Sequence, residues 1–220
     1  MTTIGKRNRR TLAALALGLA GAGASQAALV NYGNGMVYDD VADLTWLLDA
    51  NYARTSGHDA DGLMSWQQAQ DWVAGLSFGG VGGWRLPTVT PANGIRFNLD
   101  YAEDGSSDSG LNIKGLHSEL GHMFHVNLRN TAVGGLQNSG PFANLHNFAY
   151  WTGTTIPEYQ DEAFHFFTAF GDQGFSPKAG EFYAWAVHSG NVAAVPEPAS
   201  LALLSAGLAA LGLAIRRRRA

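Results

Sequence analysis

The sequence predicts an α+β domain of two helices and mostly antiparallel strands, occupying the middle of a 220-residue chain. Three observations predict it. Helical periodicity is confined to two segments in the first two-thirds, and runs of strand-forming residues crowd the last third. In addition, all six Trp, eleven Phe and seven Tyr fall between residues 28 and 194, enough aromatic bulk for one core. From the N-terminal side, residues 36–48 read as one or two short strands around an acidic turn at Asp39-Asp40. Residues 65–76 form the clearest helix. Ser65 and Gln68 make a capping box, and Trp66, Ala69, Trp72, Val73 and Leu76 share one face. A glycine-rich stretch, 79–83, ends that helix, and Trp84-Arg85-Leu86-Pro87 follows as a short strand stopped by proline. Residues 88–114 are polar and irregular. A second helix is expected over 118–128, with Leu120, Met123, Phe124 and Leu128 facing the core. Strands are then expected over 148–154, 163–170 and 182–188.

The two ends differ in composition from this domain. Residues 1–27 read as a secretory signal peptide, with Lys6, Arg7, Arg9 and Arg10 ahead of an apolar run and small residues at Ser25 and Ala27. At the other end, residues 195–220 place Val195, Pro196, Glu197 and Pro198 before an apolar run, 199–215, and then Arg216, Arg217, Arg218 and Arg219. Such a run suits a short transmembrane helix whose arginines hold its end in the cytoplasm. This order of parts resembles the PEP-CTERM sorting signal of Gram-negative bacteria. The resemblance implies recognition by an exosortase, an inner-membrane intermediate and delivery to the cell surface or extracellular matrix, often alongside exopolysaccharide.

Partitioning the chain changes its electrostatics. The formal charge of −4 conceals a central domain with six Lys and Arg against seventeen Asp and Glu, hence −11. An acidic domain of this kind excludes nucleic acid as a partner and disfavours anionic glycans not bridged by cations. The absence of Cys excludes disulfides, Cys-ligated zinc and Cys nucleophiles.

The blocks at 63–76 and 83–88, Gly83-Trp84-Arg85-Leu86-Pro87-Thr88, resemble the Lcl C-terminal domain family. So does Phe182-Tyr183-Ala184-Trp185-Ala186-Val187 before a glycine turn. Ser118-Glu119-Leu120, Gly140-Pro141-Phe142 and Tyr150-Trp151-Thr152-Gly153-Thr154 resemble the form of this domain carried by PEP-CTERM proteins. The resemblance implies a single C-type-lectin-like domain over residues 28–194. It supplies no general activity.

Candidate chemistry is sparse. Asp100, Glu103, Asp104 and Asp108 lie in a Gly/Ser-rich loop and offer hard oxygen ligands for Ca²⁺, although they lack the EF-hand register and read more readily as a solvated acidic loop. His58, Asp59 and Asp61 form a second polar group ahead of the first helix. His117, Glu119, His122 and His125 suggest zinc, but without an H-E-x-x-H motif. Tyr150, Trp151, Tyr183 and Trp185 offer a sugar-stacking platform, with core burial expected for at least half of them. Arg85 is expected to pair with a carboxylate. No nucleophile elbow occurs and no catalytic residue stands out. No cofactor is certain, and Ca²⁺ is the one considered. The expectation is a non-enzymatic, exported surface or matrix protein with extracellular polysaccharide as partner. The alternatives are a carboxylate-dependent polysaccharide hydrolase and a Ca²⁺-dependent matrix protein.

Overall fold

A computed structural model describes residues 29–193. The expected signal peptide, the sorting motif and the transmembrane helix over 199–215 lie outside the described residues.

Strands β1 (Leu29–Asn31), β2 (Met36–Asp39) and β3 (Leu44–Leu47) form an antiparallel meander. The turn between β2 and β3 is the acidic one. Asp39 Oδ1 accepts the Val41 and Ala42 amides, both at 3.1 Å, which closes it locally. A short helix α1 (Tyr52–Thr55), not foreseen from periodicity, leads to β4 (Leu63–Met64). Helix α2 (Trp66–Gly75) follows with its capping box in place, and it buries Ala69, Trp72 and Val73.

The long polar segment carries only β5 (Tyr101–Ala102) and β6 (Ser109–Leu111). The expected second helix begins as α3 (Glu119–His122), capped by Ser118, and then widens into a π-turn over Met123–Asn127. Gly121 is required there. A Cβ at this position would lie 2.4 Å from the Ile113 carbonyl oxygen. The last third is β, as expected: β7 (Ala149–Ile156), β8 (Tyr159–Phe167), β9 (Asp172–Pro177), β10 (Phe182–Tyr183) and β11 (Val187–Ser189).

These strands make two sheets, ordered β1-β2-β3-β11 and β4-β10-β7-β8-β9-β6-β5. Pairing is antiparallel except for β10 with β7 and β5 with β6. Trp84–Pro87 does not form the expected strand. Gly83 at φ +78° precedes it and Pro87 follows, leaving one bridge in which Arg85 and Val187 exchange two 2.9 Å hydrogen bonds.

Strand β7 lies inside the larger sheet and is buried on both faces. Tyr150 therefore joins one apolar cluster, with Trp46, Phe142 and Trp185, while Trp151 joins the other, with Trp72, Trp84 and Met64. Two of the buried indoles find backbone acceptors, Trp151 Nε1 donating to the Met64 carbonyl and Trp185 Nε1 to the Leu47 carbonyl, both at 2.8 Å, whereas the Nε1 of buried Trp46 has none.

The described chain closes on its own beginning. Thr45 Oγ1 donates to the Gly190 carbonyl at 2.7 Å and accepts from the Val192 amide at 3.1 Å. Asn34 Nδ2 donates to the carbonyl of buried Ala193 at 3.0 Å.

Candidate functional site

The aromatic quartet is not a platform. Tyr150 and Trp151 are fully buried and Trp185 is 2% exposed, so their faces are spent on neighbouring rings. Trp185 alone packs on Trp46 and Phe142, each with centroids 4.6 Å away. For Tyr150 and Trp151 the physical reason is position in the sheet, whereas Trp185, between β10 and β11, packs into the same core cluster as Tyr150. A central strand covered on both sides leaves no ring for an external sugar. Tyr183 is half-buried and lies flat against His146, with centroids 4.4 Å apart and planes 10° apart.

The four acidic loop residues do not converge, and no group of three or more His, Asp or Glu suited to a metal occurs among the described residues. Asp108 is turned inward and is 1% exposed. Its Oδ1 accepts the Ala92 amide and its Oδ2 the Asn98 amide, both at 2.8 Å. Its own amide donates to the Asn98 carbonyl at 2.9 Å. Gln173 Nε2 of β9 donates to the Asp108 carbonyl at 2.8 Å, and Ser118 Oγ donates to Gln173 Oε1 at 2.6 Å. One buried carboxylate thus staples the two arms of the long loop, and the main-chain carbonyl of the same residue ties them to the sheet. Asp104 Oδ1 accepts the Ser106 amide, the Glu103 carbonyl accepts from Asn112, and the Asp100 amide donates to Asn98 Oδ1. These are turn-closing contacts of a solvated loop.

The histidine set is likewise dispersed. Glu119 is committed to Arg85 by two hydrogen bonds, 2.7 and 2.8 Å, and also accepts the Thr88 amide at 2.7 Å. This is the carboxylate partner expected for Arg85, and it is the one ion pair among the described residues. His125 places both ring nitrogens against carbonyls, those of Asn130 and Gly171. His122 Nδ1 faces the Lys114 carbonyl. Near α2, Asp59 Oδ1 accepts the Asp61 and Gly62 amides and Asp61 Oδ1 the Leu63 amide, so both close the approach to β4.

The stapled loop instead frames an open cleft of about 510 Å³, lined by residues 93 and 96–100 and by Glu158 and Tyr159 at the β7–β8 turn. Phe97 anchors the loop from below, with its ring 4.9 Å from that of buried Phe164. Asn93 closes a turn by accepting the Ile95 and Arg96 amides at 2.8 and 3.0 Å. Tyr159 is 51% exposed, and its ring runs parallel to Phe175 of β9, 13° apart at 6.4 Å. The cleft therefore combines an exposed, supported aromatic face with amides, one guanidinium and two carboxylates. Sequence reasoning missed Tyr159 because it sits at a strand-to-strand turn, outside every periodic pattern.

No curated protein and no solved structure matches the chain. The model of the PEP-CTERM protein-sorting motif matches residues 194–219, covering Val195, Pro196, Glu197, Pro198 and Arg216 to Arg219. That motif marks an exosortase-processed protein exported to the cell surface of a Gram-negative bacterium. The Lcl C-terminal domain model matches residues 35–188, nearly the whole described region. The chain belongs to the Lcl C-terminal domain family.

Proposed function

We propose that the protein is a non-catalytic, polysaccharide-binding component of the cell surface or extracellular matrix, and that the cleft beside Tyr159 takes the glycan. The observation that carries this reading is the exposed Tyr159 ring, held flat by Phe175 in an open cleft of about 510 Å³ rimmed by Asn93, Asn98, Asp100 and Glu158. Pyranose rings stack on such faces, while amides and carboxylates bond their hydroxyls. Export to the cell surface by the sorting motif supports the reading. A C-type-lectin-like assignment of the domain agrees with a ligand held by a long loop.

The test uses the full chain in mild detergent on an array of bacterial exopolysaccharide fragments, with and without chelator, followed by titration of the fragments that bind. Binding without release of reducing ends, lost at least about tenfold in Tyr159→Ala, is the expected result. Release of reducing ends that disappears in Asp100→Asn or Glu158→Gln would convert the protein to a hydrolase. Binding abolished by chelator would make it a Ca²⁺-dependent matrix protein. Equal binding by wild type and Tyr159→Ala would remove the cleft from the account.

A further inference from the structure

The fold holds its own chain up to the residue before the sorting segment. Beyond β11, the Gly190 amide donates to the Asp43 carbonyl at 2.8 Å. Thr45 Oγ1 then bonds both the Gly190 carbonyl and the Val192 amide, and Asn34 Nδ2 donates to the Ala193 carbonyl. Asn191 Nδ2 adds a bond to Tyr32 Oη at 3.0 Å. Packing backs these bonds. Ala193 is 2% exposed and belongs to the cluster of Met36, Leu47 and Trp84, and Val192 packs against the same cluster. Thr45 is the pivot, because the hydroxyl of this buried residue satisfies one main-chain donor and one main-chain acceptor of the departing chain.

The sorting motif is matched from residue 194, and Pro196-Glu197-Pro198 begins three residues after Ala193. Three residues span at most about 11 Å. An enzyme that acts on a peptide takes it extended, with main-chain groups on either side of the target bond turned to the enzyme. Here the N-terminal side of the motif runs at once into residues whose amides and carbonyls are bonded inside the fold. A motif held so close to a buried residue brings the whole domain to the enzyme with it.

The attachments divide at one point. Strand β11 is paired with β3 over three positions, and Arg85 and Val187 exchange two further main-chain bonds. Residues 190–193 are held mainly by side-chain bonds and by the burial of small apolar groups, so they can come away as a unit while β11 stays in place. We infer that this clamp regulates sorting: the exosortase engages the chain only in the conformer in which residues 190–193 have left the fold. The inference rests on the sorting-motif match and is independent of the glycan cleft. The covalent step belongs to the exosortase, and the clamp acts on access alone. Where opening and closing outpace processing, the rate follows the open fraction, so every bond removed from the closed clamp appears as a gain in rate.

The test is pulse–chase of the full chain in the bacterium that produces it, with loss of the Arg216 to Arg219 cluster read by intact mass. Thr45→Val keeps the side-chain shape and removes two bonds, and it should be processed about tenfold faster than wild type. Asn34→Asp keeps the Oδ1 bond to the Met36 amide and removes the donor to Ala193, for a gain of about threefold. An insertion of about six Gly and Ser residues after Ala193 should speed wild type and erase its difference from Thr45→Val. Phe164→Leu lowers overall stability from a separate apolar cluster and should leave the rate unchanged. In the purified full chain, Thr45→Val should speed amide exchange at Val192 while Val187 to Ser189 stay protected. Equal rates for wild type, Thr45→Val and the insertion would overturn the inference. So would a Thr45→Val gain that survives the insertion, an equal gain in Phe164→Leu, or loss of β11 protection together with Val192.

Discussion

The two aromatic clusters and the stapled loop are stabilised in opposite ways. Around Trp46, Trp151 and Trp185, stability is distributed over many rings, each touching several others, with strand ladders beneath. Across residues 88–114, apolar burial is confined to Ile113 and a small cluster around Val89, Phe97 and Phe164, and the conformation hangs on hydrogen bonds that converge on Asp108. A distributed core tolerates small insults anywhere and fails only when a large volume is removed. A convergent polar staple fails at one atom. The difference suits their tasks, because the core holds the sheets while the loop presents a cleft whose shape depends on one carboxylate.

Removing core volume should have the largest effect. Trp151→Ala deletes a fully buried ring and its bond to the Met64 carbonyl, and should cost about 4 kcal/mol, read by thermal or urea unfolding. Asp108→Ala leaves the Ala92 and Asn98 amides without their acceptor. It should cost about 3 kcal/mol and abolish glycan binding. The comparison would break if Asp108→Ala left both binding and amide exchange in residues 92–98 unchanged. Glu119→Ala strips the partly exposed Arg85 of its partner and frees the Thr88 amide. A loss of about 2 kcal/mol is expected, with glycan binding intact. Tyr159→Ala should move stability by less than about 0.5 kcal/mol while removing binding, which separates the presenting surface from the scaffold.

A pH experiment sharpens the same contrast from within the sheet. Burial depresses the His165 pKa from 6.5 to about 4. The unfolded chain therefore takes up this proton near pH 6.5 and the folded chain only near 4. Stability falls as pH drops between those values and levels below them. Asp172, whose pKa burial raises, acts in the opposite sense at the lower end of that window. His165→Phe should flatten the decline, and an unchanged slope would remove His165 as its source.

What the sequence made legible follows from where local and tertiary forces agree. Helix α2 could be read because Ser65, Gln68 and a one-sided apolar face all demand the same helix. Strands β7 and β8 could be read because their aromatics and β-branched residues leave few other choices. Strand β9 could not. Asp172-Gln173-Gly174-Phe175-Ser176-Pro177 is poor in strand formers and becomes a strand because β8 offers it six paired positions. The same limit applies to the sites. Asp108 stood out as a carboxylate in a loop, yet only the fold shows that it faces inward to its own backbone. Conversely, Tyr150 and Trp185 have the right chemistry for a sugar, and their place in the fold withholds it.

The clamp that ties Gly190, Val192 and Ala193 to Thr45 and Asn34 also has a mechanical meaning. The sorting segment is matched from residue 194, so any tension carried along it enters the fold one residue after that clamp. The first bonds to bear load are side-chain hydrogen bonds, which yield singly. Next in line is β11, in register with β3 from Ser189 opposite Leu44 to Val187 opposite Trp46, and cross-braced by Arg85. Tension from the C-terminal side therefore meets a graded sequence of weak and then strong attachments before it reaches the buried indoles. The fold gives way from its edge inward, and the stapled loop, carried by the other sheet, stays outside the loaded path.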